Sequence, residues 1–255
     1  MNTYFERYKE FYAEVNNACL KAPIYKHTGI RPPNLVINCE SEYEKQHILR
    51  HMTDKYEKEG VLDFSLAADK YLYYEFDGSL QQMKNIFSNI LSCAVTGNFY
   101  KYIIGLDITK LVSRYSESQY SEFFARISQT SKHATCVFFI SSFEVLNCER
   151  FIGKLRENVK KLKSIVIPKF TYSDLASIAV SRIYNDFSVK CTAPFELALE
   201  AYLSDEGVTN INNVFDISEK LLMMADFSTN TPTLDGTVFE KLDHGIFAKM
   251  KGENK

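Results

Sequence analysis

Long apolar runs are missing from this chain. Nothing in its 255 residues approaches the roughly 18–20 consecutive apolar positions that a bilayer-spanning helix needs. A dominant charge is missing too. Thirty Lys and Arg stand against 32 Asp and Glu, a formal −2, so there is no global basic field of the kind that drives nonspecific nucleic-acid binding. The opening stretch MNTYFERYKE is too charged for a secretory signal. The six cysteines, Cys19, Cys39, Cys93, Cys136, Cys148 and Cys191, are scattered and include no C-x-x-C pair. That spacing argues against a disulfide framework and against a zinc site, and leaves reduced, mostly buried thiols. No G-x-S-x-G elbow occurs, and neither a Cys–His–Asn nor an H-x-E…C-x-x-C arrangement can be drawn. No repeat and no low-complexity tract is present. His47 and His51 stand at i, i+4, but Ile48 occupies the place where a metalloprotease helix has glutamate, so they read as a surface pair.

What is there is a globular composition, 45% hydrophobic and 24% charged, which excludes a disordered chain, a coiled coil and a collagen-like repeat. Phe5, Tyr8, Tyr12, Val15 and Cys19 recur at three- and four-residue steps, which predicts a helix with one apolar stripe. Pro23 and Pro32-Pro33 then predict an open linker, because proline removes a donor and pushes its predecessor out of the helical region. Five short apolar runs follow: Leu35-Val36-Ile37, Tyr71 to Phe76, Tyr102 to Leu106, Cys136 to Ile140 and Ser164 to Ile167. Helical patterns separate them at about 42–58, 79–96, 118–132 and 149–159. Continuous rather than alternating apolar strands, each followed by a helix, are the mark of a parallel sheet covered on both faces. The fold class is therefore α/β, a five-stranded parallel doubly wound core over about 31–170.

Strand signals stop after Phe170. Thr171 and Asp174 form a capping-box pattern, and helical patterns cover about 172–187, 193–203, 211–226 and 235–249. The expected organisation is an N-terminal helix and linker over 1–30, the α/β core over 31–170, and a small all-helical lid over 171–255. The lid region holds seven basic and thirteen acidic groups, −6, against +4 for residues 1–170. Tyr71, Tyr73, Tyr74 and Phe76 cluster on the second strand, an edge strand in a sheet of this order, where they are expected to pack against flanking helices. Lys154, Arg156, Lys160, Lys161 and Lys163 read as a solvated helix end that complements the dipole.

This element order resembles the AAA+ ATPase family, a P-loop NTPase fold with a helical lid, over nearly the whole chain. The resemblance places the phosphate loop, G-x-x-x-x-G-K-[ST], at Cys39-Glu40-Ser41-Glu42-Tyr43-Glu44-Lys45-Gln46. Lys45 stands where the family has its phosphate lysine. Both glycines are replaced, by Cys39 and Glu44, and the magnesium-binding hydroxyl is replaced by Gln46. Those losses are physically serious, because the loop backbone must take positive φ and approach the phosphates closely. Glu40, Glu42 and Glu44 also bring three carboxylates to a place meant for an anion.

The third strand resembles the family's second motif, an apolar run ending in an acidic pair. Asp107 matches the magnesium-ordering carboxylate, while Ile108 stands in place of the water-polarising one. Ser141 or Ser142 matches the polar sensor at the end of strand four, and Arg150 and Arg156 lie where an arginine finger would be, though both also fit a charged helix surface. In the lid, Asn210 replaces the second sensor arginine, and no arginine follows Arg182 anywhere. The resemblance therefore implies a vestigial nucleotide site of Lys45, Asp107 and Ser141. It implies a degenerate, catalytically inactive AAA+-like protein that acts as a scaffold or adaptor through a protein partner. Two alternatives remain open at this point: a protein that binds ATP or ADP with weak or no hydrolysis, and a DNA-associated loader. No cofactor is expected beyond ATP or ADP, no metal and no membrane contact, the charge balance argues against nucleic acid, and a cytoplasmic location is expected.

Overall fold

The computed structural model describes residues 6–62, 71–77, 79–95, 103–113, 117–142, 147–225 and 232–241. The described residues divide into two compact units, one within Phe5–Ile167 and the other within Pro168–Lys255.

The first unit begins with α1 (Lys9–Leu20) and α2 (Ala22–Thr28). Pro23 opens α2 instead of holding a linker, because the first helical turn has amides with no intrahelical acceptor, so the ring costs no bond there. Gly29, at φ 66°, ends α2 in the left-handed conformation that glycine tolerates best. Then come β1 (Asn34–Asn38), α3 (Glu42–Lys58), β2 (Tyr71–Glu75), α4 (Leu80–Val95), β3 (Ile103–Asp107), α5 (Thr109–Ser113), α6 (Glu117–His133), β4 (Thr135–Ile140), α7 (Cys148–Asn158) and β5 (Leu162–Val166). The five strands form one parallel sheet in the order β2-β3-β4-β1-β5. The doubly wound architecture expected from the apolar runs is thus present. α5 was not expected, since five residues are too few to show a period.

Strand alternation sends side chains to both faces, and both are covered, which is why the runs read as continuous. Val36, Ile104, Leu106, Cys136, Phe138 and Ile140 join a core with α4, α6 and α7. Its centre is a lattice of rings: Phe76 meets Phe123 at 5.6 Å, Tyr120 meets Phe151 at 5.1 Å, and Phe124 meets Phe151 at 5.2 Å. Each such buried side chain contributes about 1.5–3 kcal/mol relative to exposure. On the other face Gly105 lets α3 approach the sheet: a Cβ there would come within 2.7 Å of Leu49 Cδ1 and 3.2 Å of Tyr73 Cδ2. The first strand is clasped at both ends. Buried Asn34 donates from Nδ2 to Lys160 O (2.9 Å) and accepts at Oδ1 from Cys136 N (2.8 Å), while Asn38 Oδ1 accepts from Ile167 N (2.5 Å).

α1 is part of this unit and packs on α3. Tyr12 Oη lies 3.2 Å from His47 Nε2, and its ring is 4.6 Å from that of His51. The two histidines are therefore half-buried in a helix–helix contact and not the surface pair their spacing suggested.

The second unit holds α8 (Tyr172–Phe187), β6 (Lys190–Cys191), α9 (Ala193–Asp205), α10 (Ile211–Leu222), β7 (Thr233–Leu234) and a 3-10 turn at Gly236–Lys241. The Thr171–Asp174 capping box is closed in both directions, and Thr192 and Asn210 cap the next two helices. Leu175, Ala179, Ile183, Phe195, Leu199, Val214 and Leu221 form its own core. The two-residue parallel ladder of β6 and β7 was not expected, being too short for any periodicity. Of the helix expected at 235–249, the first part is the 3-10 turn and residues 242–249 lie outside the described residues. No helix among the described residues is long and apolar enough to cross a membrane.

Candidate functional site

Only Cys39, Glu40 and Ser41 separate β1 from α3. None of residues 39–46 takes a positive φ, so the backbone never turns its amides inward as a phosphate nest requires. Without glycine the chain turns directly into a helix. Ser41 is the N-cap residue in extended conformation, Glu42 opens the helix, and Lys45 N already bonds Ser41 O at 3.1 Å. Five of the eight positions assigned to a phosphate loop are thus helical.

That early helix fixes where the side chains go. Lys45 turns inward and its Nζ meets Asp107 Oδ2 at 2.5 Å, with both side chains 7% exposed. The other oxygen of Asp107 accepts from Thr109 N at 2.9 Å, and Thr109 Oγ1 accepts from Ser141 N at 2.9 Å. Lys45 and Asp107 are therefore in direct contact, and half-buried Ser141 is linked to them through Thr109, a residue that the sequence did not single out. Ile108, at the position of the second acid, is fully buried in the core.

The three glutamates separate. Glu40 is exposed. Glu42 is exposed and accepts from Tyr73 Oη (2.8 Å) and Gln46 Nε2 (2.9 Å), while Gln46 Oε1 accepts from Tyr71 Oη (2.7 Å). The edge-strand tyrosines 71 and 73 thus pack on α3, as their clustering suggested. Glu44 alone turns inward. Its Oε1 forms an ion pair with Arg7 Nη1 and accepts from Tyr8 Oη at 2.8 Å, and its Oε2 lies 3.8 Å from Cys39 Sγ. Arg7 and Tyr8, just before α1, are a second contribution that the sequence did not reveal. The two ion pairs surround Cys39, whose thiol is pushed up by burial and then by Glu44. The hydroxyl of Tyr73 is likewise pushed up, by burial and by its bond to Glu42.

A magnesium triphosphate does not fit these residues. Both oxygens of Asp107 are engaged, Gln46 offers no hydroxyl and is bonded to Tyr71, and the buried cations Arg7 and Lys45 each face a carboxylate. Among the described residues no group of three or more His, Cys, Asp or Glu can hold a metal ion. The arginines considered as fingers are exposed on α7, Arg156 donating to Ser164 Oγ at 2.9 Å. Asn210 is the N-cap residue of α10, its Oδ1 accepting from Asn212 N at 2.8 Å.

No family model matches the sequence, and no curated protein matches it. Solved structures do share the fold. The Aeropyrum pernix ORC2 protein, described in ADPNP-ADP complexes, superposes with a TM-score of 0.60 at 12% identity, over 90% of this chain and 66% of that one. The Thermotoga maritima RuvB Holliday junction branch migration motor gives 0.55 at 10% identity, over 90% and 67%. The Aeropyrum pernix ORC1 protein in complex with DNA gives 0.51 at 15% identity, over 84% and 60%. These neighbours are AAA+ ATPases, and this chain has the AAA+ P-loop NTPase fold: a parallel core ordered 2-3-4-1-5 with a helical C-terminal region. It spans 60–67% of the length of these three.

Proposed function

We propose that this chain is an AAA+-fold module that does not turn over ATP and that works by binding a protein partner, as a scaffold or adaptor subunit. The observation that carries the proposal is the early start of α3, which replaces the phosphate nest by a helical turn and sends Glu44 inward. Catalysis of phosphoryl transfer is almost wholly positioning and electrostatic stabilisation, and here the positioning elements are tied to one another. Loss of the loop glycines, of the hydroxyl at Gln46, of the acid at Ile108 and of the lid arginine at Asn210 all act in the same direction. The purified protein is expected to release phosphate from Mg-ATP at the rate of a buffer control, and Lys45→Ala is expected to leave that rate at background. Turnover above background that disappears with Lys45→Ala defeats the proposal.

A second reading is supported by the contact between Lys45 and Asp107, which keeps the family's two principal charged positions together. In that reading ATP or ADP binds without turnover as a structural ligand. A ligand at 100 times its dissociation constant stabilises a fold by about 2.7 kcal/mol, so a thermal shift at millimolar nucleotide selects this reading and its absence selects the first. The third reading, a DNA-associated loader, draws on the names of two neighbours, a Holliday junction motor and an ORC1 in complex with DNA. It runs against the charge balance alone, and a DNA affinity that falls steeply with salt would favour it.

A further inference from the structure

We propose that the Glu44 carboxylate is the protein's own substitute for a phosphate, clamped by Arg7 and Tyr8, so that the helical turn standing in place of a phosphate cradle is held in a self-liganded, closed state. The proposal rests on the reading of the site as a silent one and names what silences it. Glu44 lies one residue before Lys45 in the first turn of a 17-residue helix, the end of a helix that favours negative charge. It is 2% exposed, and its first oxygen is held by Arg7 and by the fully buried Tyr8. Its second oxygen accepts from the thiol of buried Cys39, the first residue after β1, at 3.8 Å.

The charge balance gives the proposal its consequence. Arg7 and Lys45 are two buried cations, and Glu44 and Asp107 are two buried carboxylates that match them. A buried charge left without its partner is costly, and the environment responds by recruiting a counter-charge. Removing the charge of Glu44 while keeping its shape therefore takes one negative charge from beside Arg7 at a helix N-terminus, where an external anion can take its place. The segment leading into α1 then acts as a plug: it brings Arg7 and Tyr8 to the carboxylate, and the closed state lasts as long as α1 stays on α3.

The test compares the full-length wild type, Glu44→Gln and the double variant Arg7→Met/Glu44→Gln, titrated with pyrophosphate and with ATP by calorimetry and thermal shift. Glutamine keeps the volume and can still accept from Tyr8. The expected result is an affinity for pyrophosphate at least about tenfold tighter in Glu44→Gln than in wild type, a difference of about 1.4 kcal/mol, and lost again in the double variant. A folded Glu44→Gln protein with no gain overturns the proposal, as does a gain that survives in the double variant. If Glu44→Gln is too weakly folded to titrate, the anions are added during refolding. Recovery of the cooperative transition with pyrophosphate supports the proposal, and no recovery overturns it. Hydrolysis of ATP by the wild type in the same series would defeat the functional reading whatever Glu44→Gln does, whereas a failed gain in Glu44→Gln leaves that reading standing.

Discussion

Lys45 and Asp107 face each other with almost no water, and that makes each dependent on the other. Breaking a buried pair by removing one partner leaves an uncompensated charge and costs about 3–5 kcal/mol, while replacing both by apolar groups of similar size is often near neutral. Lys45→Met is therefore expected to lower the urea midpoint strongly, and Lys45→Met/Asp107→Leu to recover much of the loss. Two singles that add in the double would show that the pair is not coupled. These two residues were legible in the sequence because a motif fixes their distance from the ends of two strands. Arg7 and Tyr8 were not. Tyr8 fell on the apolar stripe of the first helix, but nothing in a period of three or four marks a hydroxyl or a guanidinium that binds a carboxylate 36 or 37 positions away. Thr109 escaped for a simpler reason, since Asp-x-Thr at a strand end is ordinary turn chemistry.

Among the elements, α3 carries the most consequence. It supplies Lys45 to the sheet side, Glu42 and Gln46 to the tyrosines of β2, and His47 and His51 to α1. Burial lowers the basicity of both imidazoles. For His47 this outweighs Glu44, which pulls the other way, and Arg50 adds to the lowering. For His51 the charges of His47 and Lys55 act with burial, against Asp54. Arg7, Tyr8 and Tyr12 are further polar groups at this contact among the described residues. A histidine whose folded value lies below its unfolded one binds protons first in the unfolded chain. Its contribution is complete above about pH 6.5, the ordinary value, and declines as the pH falls below that, levelling off once the folded form titrates as well. The melting temperature is expected to drop between pH 7.5 and 5, and to drop less in His47→Asn/His51→Asn. An equal drop in that variant would assign the effect to carboxylates instead. At this scale the strands and long helices were readable from unbroken apolar runs and amphipathic stripes. α2 was misread because Pro23 is a breaker inside a helix but harmless at its start, and α5 and the β6–β7 ladder are shorter than any period.

At the scale of the whole molecule, each compact unit has its own apolar core. Two cores in one chain set up the condition in which heat unfolding departs from a single all-or-none step. Scanning calorimetry is expected to give a measured enthalpy larger than the van't Hoff value, and equality of the two would mean that the units melt as one. The class of fold could be read from the sequence because element order does not depend on an intact motif. What the site had become could not, since that follows from the contact between α1 and α3.

The strand order also has a temporal side. β1 leaves the ribosome first, yet the two strands that flank it, β4 and β5, are made about a hundred residues later. Until then Leu35, Val36 and Ile37 have no sheet to join. Pairings so distant in sequence close slowly, because chain entropy must be overcome before any contact rewards it. During synthesis β1 therefore waits for both of its sheet neighbours through most of the translation of the first unit.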